Sequence, residues 1–177
     1  MKIVELYSGE TVRNRVKELA EAIKRDYPSD ETLVCVCVLR GAVLFFSDLV
    51  KAMPDMDLRF DFVTLSSYEN AVYSSGRVKL IADMRENVEG KNVIVVEDIV
   101  DSGHTVKYLR QYFESKKAKS CRIACLLDKP CNRQVDVTAD YTAFVLDRDR
   151  YIVGYGLDAA QRYRNLDGVY EFIVEAT

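Results

Sequence analysis

Val93-Ile94-Val95-Val96-Glu97-Asp98-Ile99-Val100-Asp101-Ser102-Gly103-His104-Thr105 runs from apolar residues into acids and then into small residues. Val93 to Val96 carries no polar side chain, the pattern of a strand buried on both faces of a parallel sheet. In such sheets ligands bind beyond the carboxyl ends of the strands, and Glu97 and Asp98 stand there, with Asp101 close behind. Ser102-Gly103 can turn tightly, because glycine tolerates positive φ. Beyond Thr105, the residues Val106, Leu109, Tyr112 and Phe113 recur at helical spacing. Strand, loop and helix in this order bring backbone N–H groups and a helix N-terminus to one point, which suits a phosphate. The hydroxyls of Ser102 and Thr105 can add hydrogen bonds, and the carboxylates suit sugar hydroxyls or a metal. Taken singly, Asp98 and Asp101 are ordinary caps and Ser-Gly an ordinary turn. Their order behind a buried strand favours the ligand reading.

Outward from this string, strands and helices alternate. Val12, Val16, Leu19, Ala20 and Ile23 mark an amphipathic helix ended by Pro28. Leu33 to Leu39 is an unbroken apolar run, hence a central strand, broken by Arg40-Gly41. Val43 to Met53 reads as a helix stopped by Pro54. Leu58, Phe60 and Phe62 alternate with Arg59 and Asp61 as in a strand, and Ser66 to Gly76 is polar and small, as in a mobile loop. Val78 to Ile81, Ile123 to Leu127 and Phe144 to Leu146 are further short strands. The expected fold is α/β, a mostly parallel central sheet flanked by helices. The tail from Asp140 is expected to form a small appended lobe, and residues 1–177 a single domain.

Composition narrows the function classes. Twenty-five basic residues against 28 acidic ones leave a formal net charge of −3, which removes the electrostatic case for general nucleic-acid binding. No apolar run approaches the ~20 residues of a membrane span, and Met1 to Leu6 lacks a signal-peptide core. A cytoplasmic protein with no membrane partner is expected. Cys35, Cys37, Cys121, Cys125 and Cys131 show neither C-x-x-C spacing nor nearby histidines, so they are expected to be buried, reduced thiols rather than a metal or disulfide framework.

The string at 93–105 resembles the phosphoribosyl pyrophosphate signature of type I phosphoribosyltransferases. From about Leu33 to Val174 the chain is similar to the hypoxanthine-guanine branch of that family. The resemblance implies that fold with a small hood lobe, and conversion of hypoxanthine or guanine and phosphoribosyl pyrophosphate to the nucleoside monophosphate and pyrophosphate. It implies Asp101 as the general acid/base at purine N7. Glu97 and Asp98 would hold the ribose hydroxyls, and Asp101 to Thr105, including Ser102, Gly103 and the backbone of His104, would grip the 5′-phosphate. Arg40, Gly41 and Arg164 would bind pyrophosphate, and Ser67-Tyr68 would begin a loop that closes over the site. Lys129, in Leu126-Leu127-Asp128-Lys129-Pro130, would donate to O6 of a purine; a donor-only group cannot pair with adenine's amino group. In Tyr151-Ile152-Val153-Gly154-Tyr155-Gly156-Leu157-Asp158, Tyr151 would stack on the base and the backbone at Ile152 would read its edge. Mg²⁺ is the implied cofactor, near Glu97, Asp98 and Asp158. A homodimer or homotetramer is implied as well.

Three features depart from the family. Arginine at 40 replaces the commoner lysine, Tyr151 replaces the commoner phenylalanine, and Val145 to Arg150 is one residue longer than the usual hairpin and lacks its proline. A xanthine-preferring enzyme shares most of this chemistry. A non-catalytic regulator of nucleic acid that binds phosphoribosyl pyrophosphate is the reading from another class. The acidic charge and the retained Asp101 and Lys129 stand against it.

Overall fold

The computed structural model describes residues 2–67 and 78–174. Along the chain run β1 (Lys2–Tyr7), α1 (Gly9–Asp26), β2 (Leu33–Leu39), α2 (Val43–Lys51), β3 (Leu58–Ser67), β4 (Val78–Ala82) and β5 (Asn92–Val100). They are followed by α3 (His104–Ser115), β6 (Ser120–Asp128), a 3-10 turn at Pro130–Asn132, β7 (Tyr141–Val145), β8 (Ile152–Val153) and β9 (Val169–Ile173). Six strands form the main sheet in the order β4-β3-β2-β5-β6-β7. All its neighbours pair in parallel except β4, which is antiparallel to β3.

The apolar runs at β2 and β5 sit side by side in the middle, with Leu33 to Cys37 in register with Asn92 to Val96. Alternation along a strand sends successive side chains to opposite faces. Cys35, Cys37, Ile94 and Val96 accordingly join α1 and α2 in one core layer. Val34, Val36, Val93 and Val95 join Val106, Leu109 and Phe113 of α3 in the other. From β2 the chain turns to β3 on one side, and from β5 to β6 on the other. The loops after β2 and β5 therefore diverge at one crevice, the position at which doubly wound sheets bind ligands.

α1 is capped at its start by Ser8, whose Oγ accepts from the Thr11 N–H at 3.2 Å, and Lys24 and Arg25 sit in its last turn, where cations suit the helix dipole. β3 follows the expected alternation with an unexpected facing. Phe60 and Phe62 are exposed, while Asp61 is buried. Its carboxylate accepts from the N–H groups of Phe62, Arg85 and Glu86 at 2.7, 2.6 and 2.6 Å, which satisfies the buried charge with backbone donors.

The tail divides differently from the expectation. Tyr141–Val145 is the edge strand of the main sheet, paired with β6. The small lobe is a three-stranded antiparallel sheet in the order β1-β9-β8, so its first strand comes from the start of the chain. All five cysteines are free. Cys35, Cys37 and Cys125 are buried, and burial pushes their thiols up to about 12, as it does for the half-buried Cys121. Cys131 is the correction: it lies in the 3-10 turn and is exposed. No helix among the described residues is long and apolar enough to cross a membrane.

Leu126 is fully buried in β6. Leu126→Ala is expected to cost about 2–5 kcal/mol, the range for a buried leucine that leaves a cavity. Urea denaturation checks it; a loss below about 1 kcal/mol would mean that this layer repacks freely.

Candidate active site

The loops at the carboxyl ends of β2 and β5 enclose an open cavity of about 580 Å³. Arg40 and Gly41 line it from β2, and Glu97, Asp98, Asp101, Ser102, Gly103 and Thr105 from β5 and the start of α3. Asp158, Gln161 and Arg164 reach it from the segment that follows β8.

Close backbone contact shapes one wall. A Cβ at Gly41 would lie 1.5 Å from Asp98 Oδ2, and one at Gly156 would lie 2.0 Å from the Gly41 carbonyl oxygen. Gly156 also has φ of +103°, a conformation that side chains disfavour. The segment around it keeps Tyr155, Ala160, Gln161 and Tyr163 at positive φ without glycine, the kind of local strain that gathers at functional sites.

The opposite wall is the start of α3. Gly103 takes φ of +90°, and no side chain caps this helix, in contrast to Ser8 at α1. Its first-turn N–H groups are thus left for another acceptor. A neighbouring segment clamps the loop. Arg133 donates to the Asp101 carbonyl at 2.6 Å and pairs with the Asp128 carboxylate. The Gln134 N–H donates to the Ser102 carbonyl at 2.9 Å. The His104 ring hydrogen-bonds Gln134 at 3.0 Å, so it faces a neighbouring side chain and is absent from the cavity lining.

Glu97 is 6% exposed and Asp98 half-buried. Burial pushes both carboxyls above the usual carboxylate range; for Glu97 the adjacent charge of Asp98 adds to it. The Glu97 carboxylate accepts from the Asp98 N–H at 3.1 Å and that of Asp98 from the Ile99 N–H at 2.7 Å. Arg164 is the cation that favours the charged form of Asp98. Its own ion pair goes to Asp158 at 2.7 Å. Gln161 ties the two guanidiniums together: its Oε1 accepts from Arg40 at 3.3 Å and from Arg164 at 3.2 Å. Gln161 was not singled out in the sequence, where a lone glutamine in a polar loop carries no signal.

The residues expected to meet a base lie outside the cavity lining. Lys129 is buried, with Nζ 3.7 Å from Asp101 Oδ2 and 2.6 Å from Asp149 Oδ1. Tyr151 is exposed, its ring edge-on to Phe172 and its hydroxyl 3.5 Å from the Asp158 carbonyl. Ile152 is buried in β8. Ser67 ends β3, while Tyr68 and the polar stretch to 77 lie outside the described residues.

Among the described residues no three His, Cys, Asp or Glu side chains converge as a metal cage. Two adjacent carboxylates, the buried Glu97 and the half-buried Asp98, still fit a hard divalent cation that brings most of its own oxygens. Mg²⁺ binds in that manner, through one or two carboxylates, water and substrate phosphates.

The family model described as "Phosphoribosyl transferase domain" matches residues 3–160. The hypoxanthine-guanine phosphoribosyltransferase of Bacillus subtilis is 45% identical over 161 residues, covering 91% of this chain and 88% of the relative. That of Streptococcus thermophilus is 44% identical over the same shares. A crystal structure of a Bacillus anthracis hypoxanthine-guanine phosphoribosyltransferase superposes with a TM-score of 0.89 at 44% identity, covering 96% of this chain and 98% of the other.

A carboxyl whose pKa is raised by folding holds its proton more tightly in the native chain than in the unfolded one. Stability then falls as pH rises from the ordinary glutamate range toward the folded value. Glu97→Gln removes this dependence. The variant is expected to melt above the parent at about pH 8 and to lose that advantage toward about pH 4.5, near the unfolded glutamate value. For a chain of this size ~1 kcal/mol corresponds to roughly 2–4 °C. A variant that melts below the parent at both pH values would show that the charged form of Glu97 supports the fold.

Proposed function

The chain belongs to the phosphoribosyl transferase domain family, and on that premise we propose that it is a purine-salvage enzyme. It joins hypoxanthine or guanine to phosphoribosyl pyrophosphate, forming IMP or GMP and releasing pyrophosphate. The observation that carries this reading is the single cavity shared by Gly41, Asp98, the Asp101 to Thr105 loop and Arg164, with the buried Lys129 ammonium 3.7 Å from Asp101. An anion-binding helix start, acids for sugar hydroxyls, a guanidinium and a buried ammonium meet the needs of both substrates at once.

In this reading the uncapped N-terminus of α3 and the hydroxyls of Ser102 and Thr105 bind the 5′-phosphate. Glu97 and Asp98 accept hydrogen bonds from the ribose hydroxyls. Arg40, the Gly41 backbone and Arg164 orient the pyrophosphate; a guanidinium matches phosphate oxygens two at a time. Glu97, Asp98 and Asp158 would hold Mg²⁺, which when bound would supply positive charge to the leaving pyrophosphate. Lys129 donates to O6 of the base while Tyr151 covers its face and the Ile152 backbone meets its edge. Purine N9 forms the new bond to the anomeric carbon as the bond to pyrophosphate breaks, and Asp101 takes the proton from N7. Holding two substrates in register accounts for much of the rate, since such ordering can supply roughly 7–11 kcal/mol.

An oligomer fits the same reading. Phe60 and Phe62 are exposed on β3 against Phe46, with Val43 and Leu44 also exposed on α2. Apolar side chains massed in one place mark association surfaces. Light scattering at micromolar concentration is expected to give a dimer or tetramer, and a monomer there would remove this part of the reading.

The defining experiment offers hypoxanthine, guanine, xanthine and adenine separately, with phosphoribosyl pyrophosphate and Mg²⁺. Hypoxanthine and guanine are expected to react and adenine to be left. Dominance of xanthine would change the preferred base and keep the chemistry. Binding of phosphoribosyl pyrophosphate without turnover of any base would overturn the enzyme reading. Asp101→Asn is expected to lower kcat by about 10²–10⁴-fold, the usual worth of a general acid/base, with little change in KM for phosphoribosyl pyrophosphate. Parent-like kcat in that variant would take Asp101 out of proton transfer.

A further inference from the structure

Lys129 is gripped by an acid for which the reaction above has no use. The Lys129 side chain is 7% exposed, and its nearer carboxylate is Asp149, at 2.6 Å, rather than Asp101, at 3.7 Å. Asp149 Oδ1 also accepts from Asn132 Nδ2 at 3.0 Å, so it is fixed from two sides by residues of the Lys129–Asn132 stretch. Asp149 itself is 69% exposed, but its backbone belongs to a fastened segment. Arg150 pairs with Asp147 at 3.1 Å and with the largely buried Glu171 of β9 at 2.6 Å. The Leu146 N–H donates to the Asp128 carbonyl at 2.8 Å.

Exposed ion pairs usually contribute little. This one differs because one partner is buried, and a buried ammonium stripped of its partner is costly. Among the described residues Lys129 has two carboxylates in reach, and one of them is the proposed proton acceptor. Asp101 Oδ1 is buried with no hydrogen-bond partner among the described residues, an acceptor open to any donor that comes near. Without Asp149, the ammonium's remaining partner is Asp101. With Asp149 in place, one of the three ammonium donors is spent there and the others stay free for a ligand oxygen.

We propose that Asp149 is a positioning residue of the base site: by holding the Lys129 ammonium it keeps that group off Asp101 and available to the 6-oxygen of the purine. The inference rests on the reading of the chain as a 6-oxopurine phosphoribosyltransferase. It adds a residue that touches neither substrate and acts only through Lys129. It also gives the carboxylate in Asp147-Arg148-Asp149-Arg150 a function in base recognition.

The test is steady-state kinetics on the full chain, with hypoxanthine and guanine, for the parent, D149A, D149E, K129A and K129A/D149A. In D149A the KM for the base is expected to rise about tenfold or more, the scale of one hydrogen bond to a charged group, and kcat to fall. KM for phosphoribosyl pyrophosphate is expected to stay within about twofold, because the sugar-phosphate half of the site is intact. D149E is expected to recover most of the loss, and D149A to add less than about twofold on a K129A background, as for two residues acting as one unit. A base KM unchanged in D149A would overturn the proposal, as would an equal loss for both substrates. A further tenfold loss on the K129A background would show that Asp149 acts independently of Lys129 and would overturn it too. Turnover by the parent with an indifferent D149A defeats this inference alone, whereas a parent inactive with every base defeats the underlying reading and this inference with it.

Discussion

Parallel pairing of β2 with β5 is the constraint on which the rest of the molecule depends. Apart from Asn92 at the first pair, both strands are apolar along their paired length, so both faces of the sheet must be covered, and α1 and α2 on one side and α3 on the other do so. With helices on both faces, the chain leaves these two strands in opposite directions. Their carboxyl ends become the place where two loops part, and a cavity opens there without any element being dedicated to making it. Arg40-Gly41 and the Asp98 to Thr105 loop owe their meeting to this register.

Charge in the cavity is deliberately unbalanced. Glu97 and Asp98 are pressed together under burial, and their carboxyls are pushed toward the neutral form. Across the cavity Arg164 is committed to Asp158 and shares Gln161 with Arg40. The acids lack a full counter-charge and the helix start lacks a side-chain cap. In the proposed function each unmet demand is answered by a piece of one substrate: hydroxyls and a cation for the acids, phosphate oxygens for the helix. A site with these groups already satisfied internally would be more stable and would bind less.

Much of this was legible in the sequence, for a physical reason. Buried strands announce themselves through unbroken apolar runs, and β2 and β5 lie where the runs lie. The acids and the Ser-Gly turn follow those strands directly, so local order was enough to foresee one wall of the cavity. What stayed hidden depends on contacts distant in the chain. β1 is short and half-exposed, and only pairing with β9 makes it a strand. The edge position of β7 comes from β6, so the expected lobe boundary at Asp140 fell one strand too early. At β3 the alternation was clear but its facing was not, because Asp61 is buried by the backbone donors of residues 85 and 86. Gln161 and Asp149 gain meaning only from the cations they meet, at Arg40, Arg164 and Lys129.

The pairing of β1 with β9 has a consequence for how the molecule comes into being. Among the described residues β1 pairs with β9 alone, and β9 is made from residues 169–173, after every strand of the main sheet. During synthesis the main sheet has all six of its strands by Val145, and the Asp101 to Thr105 loop can form while the ribosome is still at work, since chains fold from their N-terminal parts as they emerge. β1 must wait through that interval without a partner. Glu171, which anchors Arg150 and with it the segment that carries Asp149 and Tyr151, arrives on the same late strand. The Asp101 to Thr105 side of the cavity can therefore mature first, and the segment that carries Asp149 and Tyr151 is fastened only once residues 169–173 have been made.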